Sequence, residues 1–349
     1  SANAMAAQNG GVTGLARDGW ANFRGVRAAN DGTKFKDFGF LLDEVELDLM
    51  KTFGENIRAR VDLGFGDQNI GSNINGIAIK QAYVTANLAA GNGIEFLVGR
   101  FDAPIGYEAV DRNDNTTITH SSLYNFNIRP RTLTGAKFYY AFSDAIDWHV
   151  WFANNMSDQI RAFNADNKIM PAMGTRLGYT WGDEGTESTV GLSVAYGSEG
   201  LGGKLGRTSY LVDLDWNIYA TDAFVIGGEG IFRQNNGATG TSKTKLFGGI
   251  LDLNYAFSDV WDGTLKYSIL RSNNGDTTGT TPADAQMQTL LGVPLTIAKG
   301  YLHEIGLAGG YQITDGAKLK LEYRLDWTKY SGQNKSLAHN VLGMFEYMF

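Results

Sequence analysis

The chain holds residues suited to several kinds of chemistry, but at spacings that suit none of them. Its four histidines, His120, His149, His303 and His339, lie far apart and show no metal-ligand spacing. There is no cysteine, which excludes disulfides, thiolate nucleophiles and thiolate metal sites together. His120 precedes Ser121 and Ser122, a grouping that invites comparison with a hydrolase. On an extended segment, however, adjacent side chains point to opposite sides, and no nucleophile-elbow motif surrounds these three. Asp111-Arg112-Asn113-Asp114-Asn115 collects oxygen donors without the spacing or glycine of a calcium loop, so it reads as a solvated turn. The run from Gly197 to Gly203 is glycine-rich but lacks the lysine and following helix of a phosphate loop. No catalytic residue, cofactor or metal is expected.

What remains is charge set out on alternate residues. Glu44, Glu46 and Asp48 form one such row, and Arg58 and Arg60 form another one strand further on. Lys137 and Arg176 hold the equivalent polar parity later in the chain, as do Lys266, Arg324, Asp213, Glu229 and Glu304. Both signs share these rows, with acids somewhat ahead. Opposed charges on neighbouring strands pair, or set a field across the space between them. The plainer role is to keep an interior wet and cross-paired.

The elements that carry these rows are strands. Ile57, Ala59, Val61, Leu63 and Phe65 oppose Arg58, Arg60, Asp62 and Gly64; Leu319, Leu321, Tyr323, Leu325 and Trp327 oppose Lys318, Lys320, Glu322, Arg324 and Asp326. A period of two fixes an extended conformation, since a helix of the same sequence would scatter charge around its circumference. Short turn signals fall at 53–56, 90–93, 143–145, 182–185, 220–222, 258–260 and 314–316. Longer polar segments lie near 29–37, 67–76, 102–130, 156–171, 199–206, 235–243, 272–299 and 329–336. The layout predicts about sixteen strands with short turns at one end and long loops at the other. Pro104, Pro130, Pro171, Pro282 and Pro294 all fall in the long loops, as strands that must donate every N–H require.

Composition agrees with a β-barrel in lipid. The 349 residues include 45 Gly, 19 Phe, 16 Tyr and 7 Trp, and no apolar run approaches the length of a spanning helix. Mean hydropathy is −0.22, which a barrel reaches because its wet face cancels its greasy one. Aromatic sets flank the short turns: Tyr139, Tyr140 and Phe142; Tyr179 and Trp181; Trp216 and Tyr219; Tyr255, Phe257 and Trp261. The last strand ends on Phe345, Tyr347 and Phe349, an aromatic terminus expected to serve as the membrane-insertion signal. A net charge of −7 argues against nucleic-acid binding. Ser1-Ala-Asn-Ala4 reads as an expression scar or as the small-residue end of a removed export signal.

The segment 102–130 is the most distinctive. Asp111, Arg112, Asp114, Arg129 and Arg131 are its charged candidates for a pore constriction, if the loop folds inward rather than over the outer mouth. It opens with Gly99-Arg-Phe-Asp-Ala-Pro-Ile-Gly-Tyr-Glu108, which resembles the strand-to-loop segment of the β-barrel porin-2 family of bacterial outer membranes. The resemblance implies diffusion of small solutes through a barrel of this size, with a signal removed on export. A related pattern occurs in phosphate-selective porins, but the mixed charge here lacks the dominant Lys/Arg ladder of an anion pore.

The expectation is therefore an all-β, transmembrane antiparallel barrel over 19–349, with residues 1–18 as a periplasmic segment, short periplasmic turns and long extracellular loops. It would act without a reaction as an outer-membrane porin allowing passive diffusion, weakly selective, with a weak preference for cations or little preference at all. Its partners would be outer-membrane lipid and small hydrophilic solutes and ions, and its assembly a homotrimer. The rival readings are a non-transporting structural or adhesive barrel and a soluble polysaccharide-binding β-protein.

Overall fold

The computed structural model describes residues 45–65, 77–125, 128–156, 171–198, 208–236, 243–273, 299–330 and 336–348. Among these residues fifteen strands form one antiparallel sheet in which each pairs with its neighbours in the chain. They are β1 (Val45–Phe53), β2 (Ile57–Phe65), β3 (Ile77–Leu88), β4 (Ile94–Asp102), β5 (Thr132–Ala141), β6 (Ile146–Ala153), β7 (Ala172–Trp181) and β8 (Ser188–Ser198). There follow β9 (Thr208–Thr221), β10 (Phe224–Asn236), β11 (Lys243–Ala256), β12 (Trp261–Asn273), β13 (Lys299–Thr314), β14 (Ala317–Tyr330) and β15 (Ser336–Tyr347). Each of the seven predicted short turns joins a pair of these strands, and each is tight because strands that continue the same ladder need only reverse. The first of the sixteen predicted strands, ahead of residue 29, lies outside the described residues. Pro104, Pro130 and Pro171 fall outside the strands, as the ladder requires.

The sheet is inside-out relative to a water-soluble protein. On one parity its large apolar side chains are bare: Val341 is 73% exposed, Leu321 62% and Phe345 62%. On the other parity its charges are buried, with Asp213 and Glu322 at 0% and Arg324 at 3%. In water this would expose grease and desolvate charge at once, both unfavourable. In a bilayer the apolar parity meets hydrocarbon, and the strand ladder satisfies the backbone groups that lipid cannot. Most of the aromatic sets lie on that outer surface beside the turns, whereas Tyr139 and Tyr219 fall on the inward parity, Tyr139 against His149. Tyr179 stacks on Trp181 at 5.4 Å, Tyr255 meets Phe257 at 5.1 Å and Trp261 meets Tyr311 at 4.5 Å. Rings with an apolar body and a polar edge suit the boundary between acyl chains and headgroups. Phe345 and Tyr347 belong to this surface; Phe349 lies outside the described residues.

The wall is uneven in height. Strands β9 to β14 run 13–16 residues, whereas β4 and β6 run only 9 and 8. The segment between β4 and β5 leans on the inner face of the taller strands.

Candidate functional site

The loop 103–131 begins and ends at one neck, where the Ala103 amide donates to the Arg131 carbonyl at 2.7 Å. Just beyond it, Gly106 takes a φ of +86°, and a side chain there would collide with Arg129 and Glu229. Only glycine meets both demands. The adjoining Tyr107 amide donates to Glu229 of β10 at 2.9 Å. From there the loop crosses the polar face of the sheet and is bound at almost every step.

On β11, Asp252 accepts from the Thr116 hydroxyl at 2.8 Å. On β12, Lys266 donates to the Glu108 carboxylate at 2.9 Å, the Thr117 hydroxyl at 2.5 Å and the Thr119 carbonyl at 2.6 Å. On β13, Glu304 accepts from the Ser122 amide at 2.7 Å. On β14, Glu322 accepts from the Thr119 amide at 2.9 Å. Arg324, also on β14, donates to the Thr119 hydroxyl at 2.9 Å and the His120 carbonyl at 2.7 Å, and pairs with Glu304 and Asp326. Glu108 meets the Ser121 amide at 2.8 Å, so two loop residues distant in sequence close on one carboxylate. The short helix α1 (Ser122–Asn125) thus starts with its first free amides on carboxylates, which satisfies donors that an α-turn leaves open.

Apolar packing adds to this seat. Leu123 and Ile128 are 0% exposed and join a cluster with Leu211, Ile231, Leu246, Ile250, Leu270 and Leu302 from the inner wall. Gly248 leaves the space that Leu123 fills. Each such side chain withdrawn from water stabilises the seat by about 1.5–3 kcal/mol. His120 stacks on Tyr124 at 3.7 Å, and its Nε2 lies 2.8 Å from the Ala109 carbonyl. Burial pushes the His120 imidazole down to about 3, although neighbouring Glu108 pulls the other way. Burial alone would raise Glu108, but the Lys266 ammonium and the Ser121 hydroxyl hold it down to about 2.

The residues singled out from sequence take different places. Asp111 pairs with Lys80 of β3. Asp114 is exposed on the loop, and Arg112 is nearly buried beside His120. Arg129 is 2% exposed and lies beneath the loop: it donates to the Ile105 and Glu108 carbonyls and sits 3.6 Å from Glu229. Arg131 lies over the Tyr124 ring at 5.0 Å. On the wall, Asp48 pairs with Arg60 at 3.0 Å, Arg176 with Asp215 at 2.7 Å, and Glu46 with Lys80. Lys137 sits over Phe101 at 5.5 Å. Arg58 is exposed, on the same parity as Arg60. Glu44 lies outside the described residues.

Two residues that sequence reasoning passed over are central here, Glu108 and Lys80. Glu108 gives no periodic signal because it is in a loop. Lys80 does have one. Apolar residues fall on odd positions at Ile77 and Ile79 and on even positions at Ala82, Val84, Ala86 and Leu88, so the phase flips across Lys80-Gln81. An extra residue in one strand produces that flip.

A wall of antiparallel strands, apolar outside and charged inside, with a loop laid across its inner face, defines an outer-membrane channel protein of the porin type. Its place is the bacterial outer membrane. The family model of the putative beta-barrel porin-2, OmpL-like proteins matches residues 19–349, and the chain belongs to that family. Solved structures of similar fold include the outer membrane channel DcaP of Acinetobacter baumannii, with a TM-score of 0.59 and 13% identity over 88% of this chain and 85% of that one. OmpT of Vibrio cholerae in a trimer form gives 0.55 and 12% over 88% and 94%. The anion-selective porin from Comamonas acidovorans gives 0.50 and 12% over 87% of each. At such identities the likeness is one of fold. No curated protein matches the sequence.

Proposed function

We propose that the protein is a passive diffusion pore for small hydrophilic solutes and ions, with the loop 103–131 as its constriction and a weak preference for cations. The observation that carries this reading is the pairing of the inward charges. Lys266 with Glu108, Arg324 with Glu304 and Asp326, Arg176 with Asp215, Arg60 with Asp48 and Asp62, Lys318 with Asp262 and Lys320 with Glu346 leave no ladder of one sign among the described residues. A passage lined by neutralised pairs sorts solutes mainly by size. Asp111 and Asp114 on the loop and Asp48 and Arg58 on the wall are the charges we assign to the narrow zone. Arg129 we assign to anchoring. We further propose a barrel over 19–349, a periplasmic segment over 1–18 and a homotrimer, the last supported by the trimer form of the similarly folded OmpT.

The test is a planar bilayer with a salt gradient across it. Discrete current steps and a reversal potential displaced only slightly toward the cation limit are expected. Strong anion selectivity, or no steps at all, contradicts the proposal.

Acid should loosen the constriction through His120. The seated loop holds a neutral imidazole down to about 3, whereas a released one takes up a proton below its ordinary value of 6.5. Seating therefore weakens as pH falls from 6.5 toward 3, by about 1.4 kcal/mol per unit. Glu108 acts in a lower window: its contribution is whole above 4.5 and is lost as pH falls through about 2. Current noise should rise between pH 6.5 and 4 in the wild type and stay nearly flat in His120→Gln. Equal noise in both proteins would remove His120 from this role.

A further inference from the structure

The loop is tied on its far side as well, through a residue that strand alternation alone would misplace. In the β2–β3 ladder Asp62 faces Gln81 while Leu63 faces Ile79, so Lys80 is the extra residue of a β-bulge. Ile79 remains on the lipid surface, 53% exposed, while Lys80 turns inward with only 13% of its side chain open. The bulge is supported from two directions. Arg100 donates to the Lys80 carbonyl at 3.0 Å, and the Gln81 side chain bridges Asp62 and the Asp102 amide at 2.9 and 3.0 Å. Such support is what a bulge needs in order to hold one side chain in a fixed direction. The Lys80 ammonium meets Glu46 of β1 and Asp111 of the loop apex.

We propose that Lys80 is a latch: the bulge aims it across the lumen, where it fixes the loop apex to the β1–β3 wall and so sets the width and charge of the constriction. This inference rests on the pore reading above. The loop apex has two flanks. On one, Lys320 of β14 donates to the Asn115 carbonyl at 2.9 Å. On the other, the Asp111–Lys80 pair ties the apex to the opposite end of the described sheet. Release of Lys80 removes this tie from the apex. It also removes a positive charge that covers two carboxylates, so the passage becomes both wider and more negative. Lys80 is a positioning residue, and the charge effect distinguishes it from a side chain that merely fills space.

Single-channel recording in a salt gradient tests this, with heat-modifiable gel mobility as the check that each barrel has folded. In Lys80→Gln the conductance should rise roughly 1.5- to 2-fold, with a broader spread, and the reversal potential should move toward cation selectivity. Asp111→Asn should widen the pore alike but move the potential the other way, and adding it to Lys80→Gln should widen the pore no further. The exchange Lys80→Asp with Asp111→Lys, made together with Glu46→Gln so that the new carboxylate meets no like charge, restores an opposite pair across the same gap and should return conductance toward the wild type. Unchanged conductance in both single variants, or additive effects in the double, overturns the latch alone. A wild type that conducts nothing overturns the pore reading instead.

Discussion

Excision of residues 109–127, with a short Gly-Ser join, is expected to raise single-channel conductance about 2- to 4-fold and admit larger sugars in liposome swelling. The estimate follows from where the segment lies. It carries the contacts to Asp252, Lys266, Glu304, Glu322 and Arg324, a span of four strands, together with Leu123. Its removal uncovers charged side chains that are now dry. They do not become buried orphans, because water fills the space the loop leaves and solvates them. Arg324 keeps Glu304 and Asp326, so the wall retains its own pairs. The barrel should therefore fold and insert as before, with only its bore changed. Conductance equal to that of the wild type would place the narrowest point elsewhere and remove the constriction role.

The second large effect is local. Arg324→Met should free the loop without opening the sheet. The guanidinium pairs with Glu304 and Asp326 at once, and it also donates to Thr119 and the His120 carbonyl. Loss of one partner from a buried ion pair costs about 3–5 kcal/mol, because the remaining charge stays behind in a dry place. Here the cheaper escape is release of the loop, which lets water reach the carboxylates. Amide exchange at Thr119, Ser121 and Ser122 should accelerate by about 100-fold or more, while the β9–β12 ladder stays protected. Arg324→Lys should recover part of the protection, since an ammonium restores charge but not a fork that reaches four groups. Exchange that accelerates equally in loop and strands would mean that Arg324 supports the whole barrel. Unchanged exchange would mean that it holds neither.

These two effects concern the part of the molecule that was hardest to read in advance. Strands and turns were legible because a two-residue period is a local property. Leu319 to Trp327 against Lys318 to Asp326 declares both faces of β14 without reference to anything else. Lys80 was half legible: the phase flip marks a bulge, but only the ladder shows which residue is extra and where it points. The loop was legible as long, charged and unusual, but not in its seat. Arg129 illustrates the gap. It has the type and position of a rim charge, yet it lies under the loop because Ile105, Glu108 and Glu229 happen to converge on it in space. Glu108, with Ser121 on one side and Lys266 on the other, depends on a partner 158 residues away. No local pattern encodes such a meeting.

That separation bears on how the molecule is assembled. The seat of Thr119 lies 203 residues further along the chain, that of Ser122 lies 182, and that of Asn115 lies 205. A segment made early thus has no binding place until β14 has joined the sheet, so its docking comes near the end of assembly, as contacts of such wide spacing do in general. Until then Glu304, Glu322 and Arg324 can be hydrated from within. Drying of the interior is then among the last steps, completed only once the sheet has already been built around it.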